Sequence, residues 1–92
     1  MSNERENRVI HTFPYRQGEE IQMALTTFQG RHFVDLRLWY QGKGDGQNFK
    51  PTRKGIYFGV DKFPEFQKGM LRMTKAVDAM RQRSDEHEMD MR

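Results

Sequence analysis

No cysteine occurs in the 92 residues, so neither a disulfide nor a thiolate zinc site reinforces the fold, and a cysteine nucleophile is ruled out. Proline is scarce, at three residues, and there is one tryptophan. No apolar run approaches the ~20 residues that a bilayer span needs, and the opening MSNERENR lacks the apolar stretch of a secretion signal. An intracellular protein without membrane attachment is expected, in cytoplasm or nucleoid for a bacterial or viral source and in the nucleus for a eukaryotic one. Hydrophobic residues reach 35% against 32% charged, which concentrates the apolar groups in a few elements. A chain this short supports one domain burying a modest share of its surface, and dimerisation is a natural way to bury more.

The formal charge of +3 is too small to identify a partner, but its distribution is uneven. Between positions 31 and 54, six basic residues (Arg31, Arg37, Lys43, Lys50, Arg53, Lys54) stand against two acids (Asp35, Asp45). From position 84 onward, four acids (Asp85, Glu86, Glu88, Asp90) stand against Arg92 alone. Composition and charge predict a flexible segment over 1–8, a single folded domain over 9–83 and a flexible acidic tail over 84–92.

Within that domain the hydrophobic period is first two, then mixed three and four. Residues 9–15 read as a short edge strand or arm, because Pro14 cannot donate to a sheet ladder. Ile21, Met23 and Leu25 alternate with Gln22, Ala24, Thr26 and Phe28, as in a half-buried strand. Gln29-Gly30 makes a turn, and Val34, Leu36 and Leu38 then alternate with Arg31, Phe33, Asp35, Arg37 and Trp39. Strands joined so tightly run antiparallel. The stretch 41–48 has three glycines and no apolar residue, as an exposed hairpin loop does. A further strand covers 49–58, bent or bulged by Pro51 and Gly55 and anchored in the core by Ile56 and Phe58. Beyond it, Phe63, Phe66, Met70, Met73, Val77 and Met80 form the apolar stripe of a helix over about 61–83, with Asp61 near its start. That 3-4 spacing suits a helix which covers the sheet and meets a symmetry mate. Gly69 is costly in mid-helix and is expected to mark a close backbone approach.

The chemistry-bearing residues gather on the strands. A face carrying Phe28, Arg31, Arg37 and Trp39 offers rings on which unpaired bases stack and cations that follow phosphates. The run from Lys50 through Pro51, Thr52, Arg53 and Lys54 to Gly55 sets three cations on a constrained backbone suited to phosphate contact. Taken singly, Phe28 and Trp39 are equally readable as packing residues, and the basic run as a solvated edge strand.

The ordered set Phe28-Gln29-Gly30-Arg31, Val34-Asp35-Leu36-Arg37 with Trp39-Tyr40, and Lys50-Pro51-Thr52-Arg53-Lys54-Gly55-Ile56, followed by a helix, resembles the C-terminal domain of the transcriptional coactivator Positive Cofactor Four. The resemblance covers about positions 20–80. It implies an α+β fold: a curved antiparallel sheet of about four strands followed by one long helix, dimerised through the helices, with concave β-surfaces that bind single-stranded DNA or unwound duplex. It further implies DNA contacts from Phe28, Arg31, Arg37, Tyr40, Lys50, Arg53 and Lys54. Alternation selects Trp39 as the stacking ring whereas the resemblance selects Tyr40; both are retained, with Tyr40 preferred. Departures from the family pattern are Gln29 in place of a lysine, Glu19 and Ile21 in place of basic residues, Thr52 in place of a glycine, and a slightly longer loop at 41–48.

Other chemistries find no seat. His11, His32 and His87 lie in different elements without ligand spacing or a neighbouring nucleophile, and the glycines at 42, 44 and 46 lie in a hairpin rather than in a phosphate loop. No cofactor, no metal and no enzymatic activity are expected. The reading is a homodimeric binder of single-stranded DNA serving transcription, replication or recombination, with transcription or replication proteins as possible partners. An RNA-binding module and a dimer that recruits polymerase or replisome components are the alternatives.

Overall fold

The computed structural model describes residues 5–42 and 48–90, with side chains up to residue 83. Four strands and a helix follow one another: β1 (Glu6–Pro14), β2 (Glu19–Phe28), β3 (Arg31–Gln41), β4 (Phe49–Gly59), a 3₁₀ turn (Val60–Lys62) and α1 (Phe63–Asp90). The strands form one open, curved antiparallel sheet in the order β1-β2-β3-β4. Chain contacts divide the molecule into two units, Met1–Asp61 with the sheet and Lys62–Arg92 with the helix.

Local chemistry explains each boundary. Between β2 and β3, Gln29 (φ 52°) and Gly30 (φ 76°) both adopt left-handed backbone, as a two-residue type I′ hairpin turn requires. The β1–β2 connection closes by a hydrogen bond from Glu19 N to Arg16 O (2.7 Å) around Gly18 at φ 77°. The Gly18 carbonyl also accepts a bond from Gln41 N (2.8 Å), tying this turn to the end of β3. The expected loop at 41–48 lies largely outside the described residues.

The core sits in the two central strands, on both faces. Ile21, Met23 and Leu25 pair with Leu38, Leu36 and Val34, so these six share one face, with Val34 and Leu38 buried. Ala24 and Thr26 are buried on the opposite face. Thr26, 1% exposed, satisfies its hydroxyl by donating to Asn7 Oδ1 at 2.9 Å.

Four expectations need revision. β1 begins at Glu6, inside the 1–8 segment read as flexible, because Asn7 pairs with Thr26 and draws the polar stretch into the sheet. Ile56 is 49% exposed rather than a core anchor, on the outer strand β4 of the sheet, while Phe58 is half-buried. α1 starts at Phe63 and runs to Asp90, seven residues past the expected end, there being no glycine or proline after Gly69 to stop it. A Cβ added at Gly69 meets nothing within 4 Å, so no close backbone approach occurs there among the described residues.

Candidate nucleic-acid interface

Antiparallel pairing puts directly opposed residues on the same side of a sheet. Phe28 pairs with Arg31, Gln22 with Arg37 and Glu20 with Trp39, so Phe28, Arg31, Arg37 and Trp39 share the face that carries Ala24 and Thr26. Asp35 pairs with Tyr57 across β3 and β4, which adds that tyrosine to the same face. There Tyr57 stacks on Phe33 with ring centroids 4.7 Å apart and planes 17° from parallel. The Arg5 guanidinium lies over both the Phe28 ring (5.6 Å) and the Tyr57 ring (5.5 Å). A depression of about 190 Å³ runs on between Arg5, Asn7, Asp35, Arg37, Trp39 and Pro51. One surface thus combines four aromatic side chains with three arginines.

The basic run forms a large β-bulge. Arg37 pairs with Gly55 and Trp39 with Pro51, leaving Thr52, Arg53 and Lys54 opposite Leu38 alone. Three hydrogen bonds hold this loop of chain: the Thr52 hydroxyl donates to Leu38 O (2.8 Å), Lys54 N donates to the same hydroxyl (3.1 Å), and Arg37 Nη1 donates to Thr52 O (2.9 Å). Arg37 also donates from Nε to Asp35 Oδ1 at 3.0 Å, and both side chains are largely covered. Glycine is required at position 55, because a Cβ there would lie 2.4 Å from Leu36 O and 2.9 Å from Arg37 Cα. Pinned in this way, the bulge leaves Arg53 and Lys54 exposed at the margin of the sheet.

The family model described as Transcriptional Coactivator p15 (PC4) matches residues 16–69, more than half of the chain, including β2, β3 and β4 but not Arg5 or Asn7. The chain belongs to the PC4 family. Its fold is similar to that of a PC4 homologue from Burkholderia pseudomallei K96243, solved in two crystal forms. The orthorhombic form gives TM-score 0.65 at 24% identity, covering 74% of this chain and 89% of that one, and the tetragonal form gives 0.66 at 23%, covering 75% and 98%. It is also similar to a bacteriophage T5 homologue of the eukaryotic transcription coactivator PC4, implicated in recombination-dependent DNA replication, with TM-score 0.56, 16% identity and coverage of 89% and 93%. No curated protein sequence matches significantly.

Within this PC4-family sheet the anticipated residues do not all converge. Phe28, Arg31, Arg37 and Trp39 lie on one face, as alternation requires, but Tyr40 pairs with Glu19 and Lys50 on the other and is 41% exposed. The bulge does not reverse this, because its extra residues are in β4 while β2 and β3 stay in unbroken register. Lys54 borders a second groove, of about 400 Å³, whose apolar floor includes Ile21, Leu36, Leu38 and Ile56 and whose rim includes Arg16 and Glu19. Arg53 stays exposed within the bulge.

Arg5, Phe33 and Tyr57 were not anticipated as site residues. Phe33 and Tyr57 were visible in principle, since period-two counting from Gly55 puts Tyr57 on the Arg37 face. Arg5 carried no signal, standing in a polar stretch without apolar alternation. Among the described residues, no cluster of three or more His, Asp or Glu is placed to hold a metal, and no helix is long and apolar enough to cross a membrane. His32 accepts or donates through Nδ1 to the Thr27 hydroxyl at 2.9 Å, a contact within the sheet.

Proposed function

We infer that this PC4-family protein is a non-enzymatic binder of single-stranded DNA or unwound duplex, holding it with little sequence preference. The observation that carries this is the convergence of Phe28, Arg31, Arg37 and Trp39 on one sheet face, bordered by the cationic bulge with Arg53 and Lys54. Rings on such a face stack bases of any sequence, and cations beside them follow the backbone. Lys50 is exposed on the opposite face of β4, beside Tyr40. The family's identity as transcriptional coactivators and the replication role of the phage T5 homologue support service in transcription, replication or recombination, in the compartment that holds the DNA and beside the proteins of those processes.

The working unit in this reading is a homodimer formed through α1. Five residues of its 3-4 stripe, Phe63, Met70, Met73, Val77 and Met80, are exposed in the single chain and Phe66 is half-buried. A stripe of that spacing packs on a like helix.

Fluorescence anisotropy with a labelled oligo-dT of about 20 nucleotides, longer than the ~4–16 that one small binding fold covers, tests the DNA reading. Binding stronger than to intact duplex, weakening by ~0.7 in log affinity per log salt for each phosphate neutralised, is expected. Absence of binding at low salt, or a preference for duplex, removes the reading, and equal or tighter binding of oligo-rU moves it to RNA. Sedimentation velocity tests the dimer: the wild type should sediment as two chains and Met73→Glu as one.

A further inference from the structure

We propose that Arg5, Phe28 and Tyr57 form a second base-binding station, which takes an unpaired nucleobase of the same DNA strand and lies apart from the ring at the far end of β3. The proposal rests on the reading of this face as a single-strand surface. Three observations carry it. First, Tyr57 stands on the same face as Phe28 and is 38% exposed, so part of its ring is open to solvent, while Phe33 stacks against it at 4.7 Å and fixes its orientation. A ring with one face packed and area left exposed is a ready stacking platform. Second, the Arg5 guanidinium lies over both rings, 5.6 Å from the Phe28 centroid and 5.5 Å from that of Tyr57, so a planar, positively charged group already settles there. Third, the depression from Arg5 past Arg37 to Trp39 links this station to the other end of the face.

The geometry separates the two stations. Tyr57 pairs with Asp35, and Trp39 lies four residues farther along β3, which is about 13 Å at ~3.3 Å per residue. The stations therefore receive different bases of one strand. Arg5 is exposed and precedes the first residue of β1, so it moves without disturbing a strand. An exposed cation–π contact is weaker than a stacked base, so an incoming base displaces the guanidinium from the rings. The displaced Arg5 then faces the phosphate of that base. The residue thus covers two otherwise solvent-facing rings in the free protein and becomes a phosphate contact in the complex.

The test uses the full chain and an oligo-dT carrying 5-iodouracil, a photoreactive base that joins to a ring it lies against. After irradiation, mass spectrometry should find adducts on Tyr57 in addition to any at Phe28 or Trp39. In anisotropy titrations Tyr57→Ser should weaken binding roughly tenfold, the loss of one base stack, and Tyr57→Phe should bind as the wild type because the ring rather than the hydroxyl is used. Arg5→Ala, at an exposed position ahead of the first strand, should weaken binding and lower the salt slope by ~0.7. Thermal unfolding of Tyr57→Ser shows whether the loss is one of fold, and the Arg5→Ala result stands independently of it. If the wild type binds while adducts fall only on Phe28, Trp39 or Tyr40 and Arg5→Ala matches it in affinity and slope, this station is wrong and the single-strand reading survives. If the wild type binds no oligonucleotide, both fall.

Discussion

Arg37 reaches across the edge of β3 to donate its Nη1 hydrogen to the backbone carbonyl of Thr52 at 2.9 Å, while Asp35 holds its Nε at 3.0 Å. A residue proposed to face DNA is also, in the folded chain, a strut between a β-bulge and its neighbouring strand. The cations displayed by the bulge depend on that strut. Stability and DNA affinity therefore part company residue by residue along this face.

Arg37→Ala removes two hydrogen bonds made by a charged group in a mostly covered site, a loss of about 2 kcal/mol or more. For a domain of this size that lowers Tm by roughly 10 °C. Arg37→Lys keeps the charge but cannot make both bonds in the fork geometry, so its Tm falls as well. Arg53→Ala leaves Tm nearly unchanged and reduces the salt slope of oligo-dT binding by ~0.7. Differential scanning calorimetry and anisotropy on the three variants check this, and a wild-type Tm for Arg37→Lys refutes the strut.

Gly55→Ala is expected to damage the same junction from the other side. Its new methyl carbon would lie 2.4 Å from the Leu36 carbonyl oxygen, a contact with backbone that no side-chain rotation relieves. Overpacking of this kind costs ~1–3 kcal/mol. Urea unfolding should show the loss, and hydrogen exchange should show it concentrated at the amides of β3 and β4 around positions 37 and 55. Unchanged stability would mean that the strands separate there at little cost.

Gln29 offers the opposite opportunity. At φ 52° it occupies left-handed backbone that costs an ordinary residue ~1–2 kcal/mol, whereas glycine gives back ~0.5–1 through its freer unfolded chain. Gln29→Gly should accordingly raise Tm by a few degrees without altering DNA binding. A lowered Tm would show that the Gln29 side chain contributes contacts outweighing the strain.

Much of this architecture is legible in the residues. Alternation through β2 and β3 assigns the faces of Ile21 to Leu25 and of Val34 to Leu38 because each side chain has only two directions available. Gln-Gly at the turn and Pro51 with Gly55 in β4 announce the hairpin and the bulge through backbone chemistry. The entry of residues 6–8 into β1 is not legible, since Glu6, Asn7 and Arg8 show no apolar pattern and join the sheet through main-chain pairing and the Asn7–Thr26 bond. Nor is the position of Arg5 over Phe28 and Tyr57, a contact between residues far apart in the chain. The tethering of Arg37 is hidden for the same reason: its partner carbonyl belongs to a bulge whose register only the folded sheet defines.

The last prediction concerns the ring at the far end of β3, where two adjacent aromatics compete. β2 and β3 remain in register from the turn to Glu19 and Tyr40, so Trp39 shares a face with Phe28 and Arg37 while Tyr40 points away from it. Trp39→Ala should therefore weaken oligo-dT binding about tenfold, within the range for one lost base stack, and Tyr40→Ala should change it less than about threefold. Trp39 is the chain's one tryptophan, so quenching of its emission on titration with oligo-dT reports the same contact directly. Family resemblance favours the reverse result. Should Tyr40→Ala prove the weaker binder with Trp39 emission unaffected, DNA must run along the side of the sheet that carries Lys50 and the Lys54 groove, because Tyr40 cannot join Phe28 without breaking the pairing of Glu19 with Tyr40.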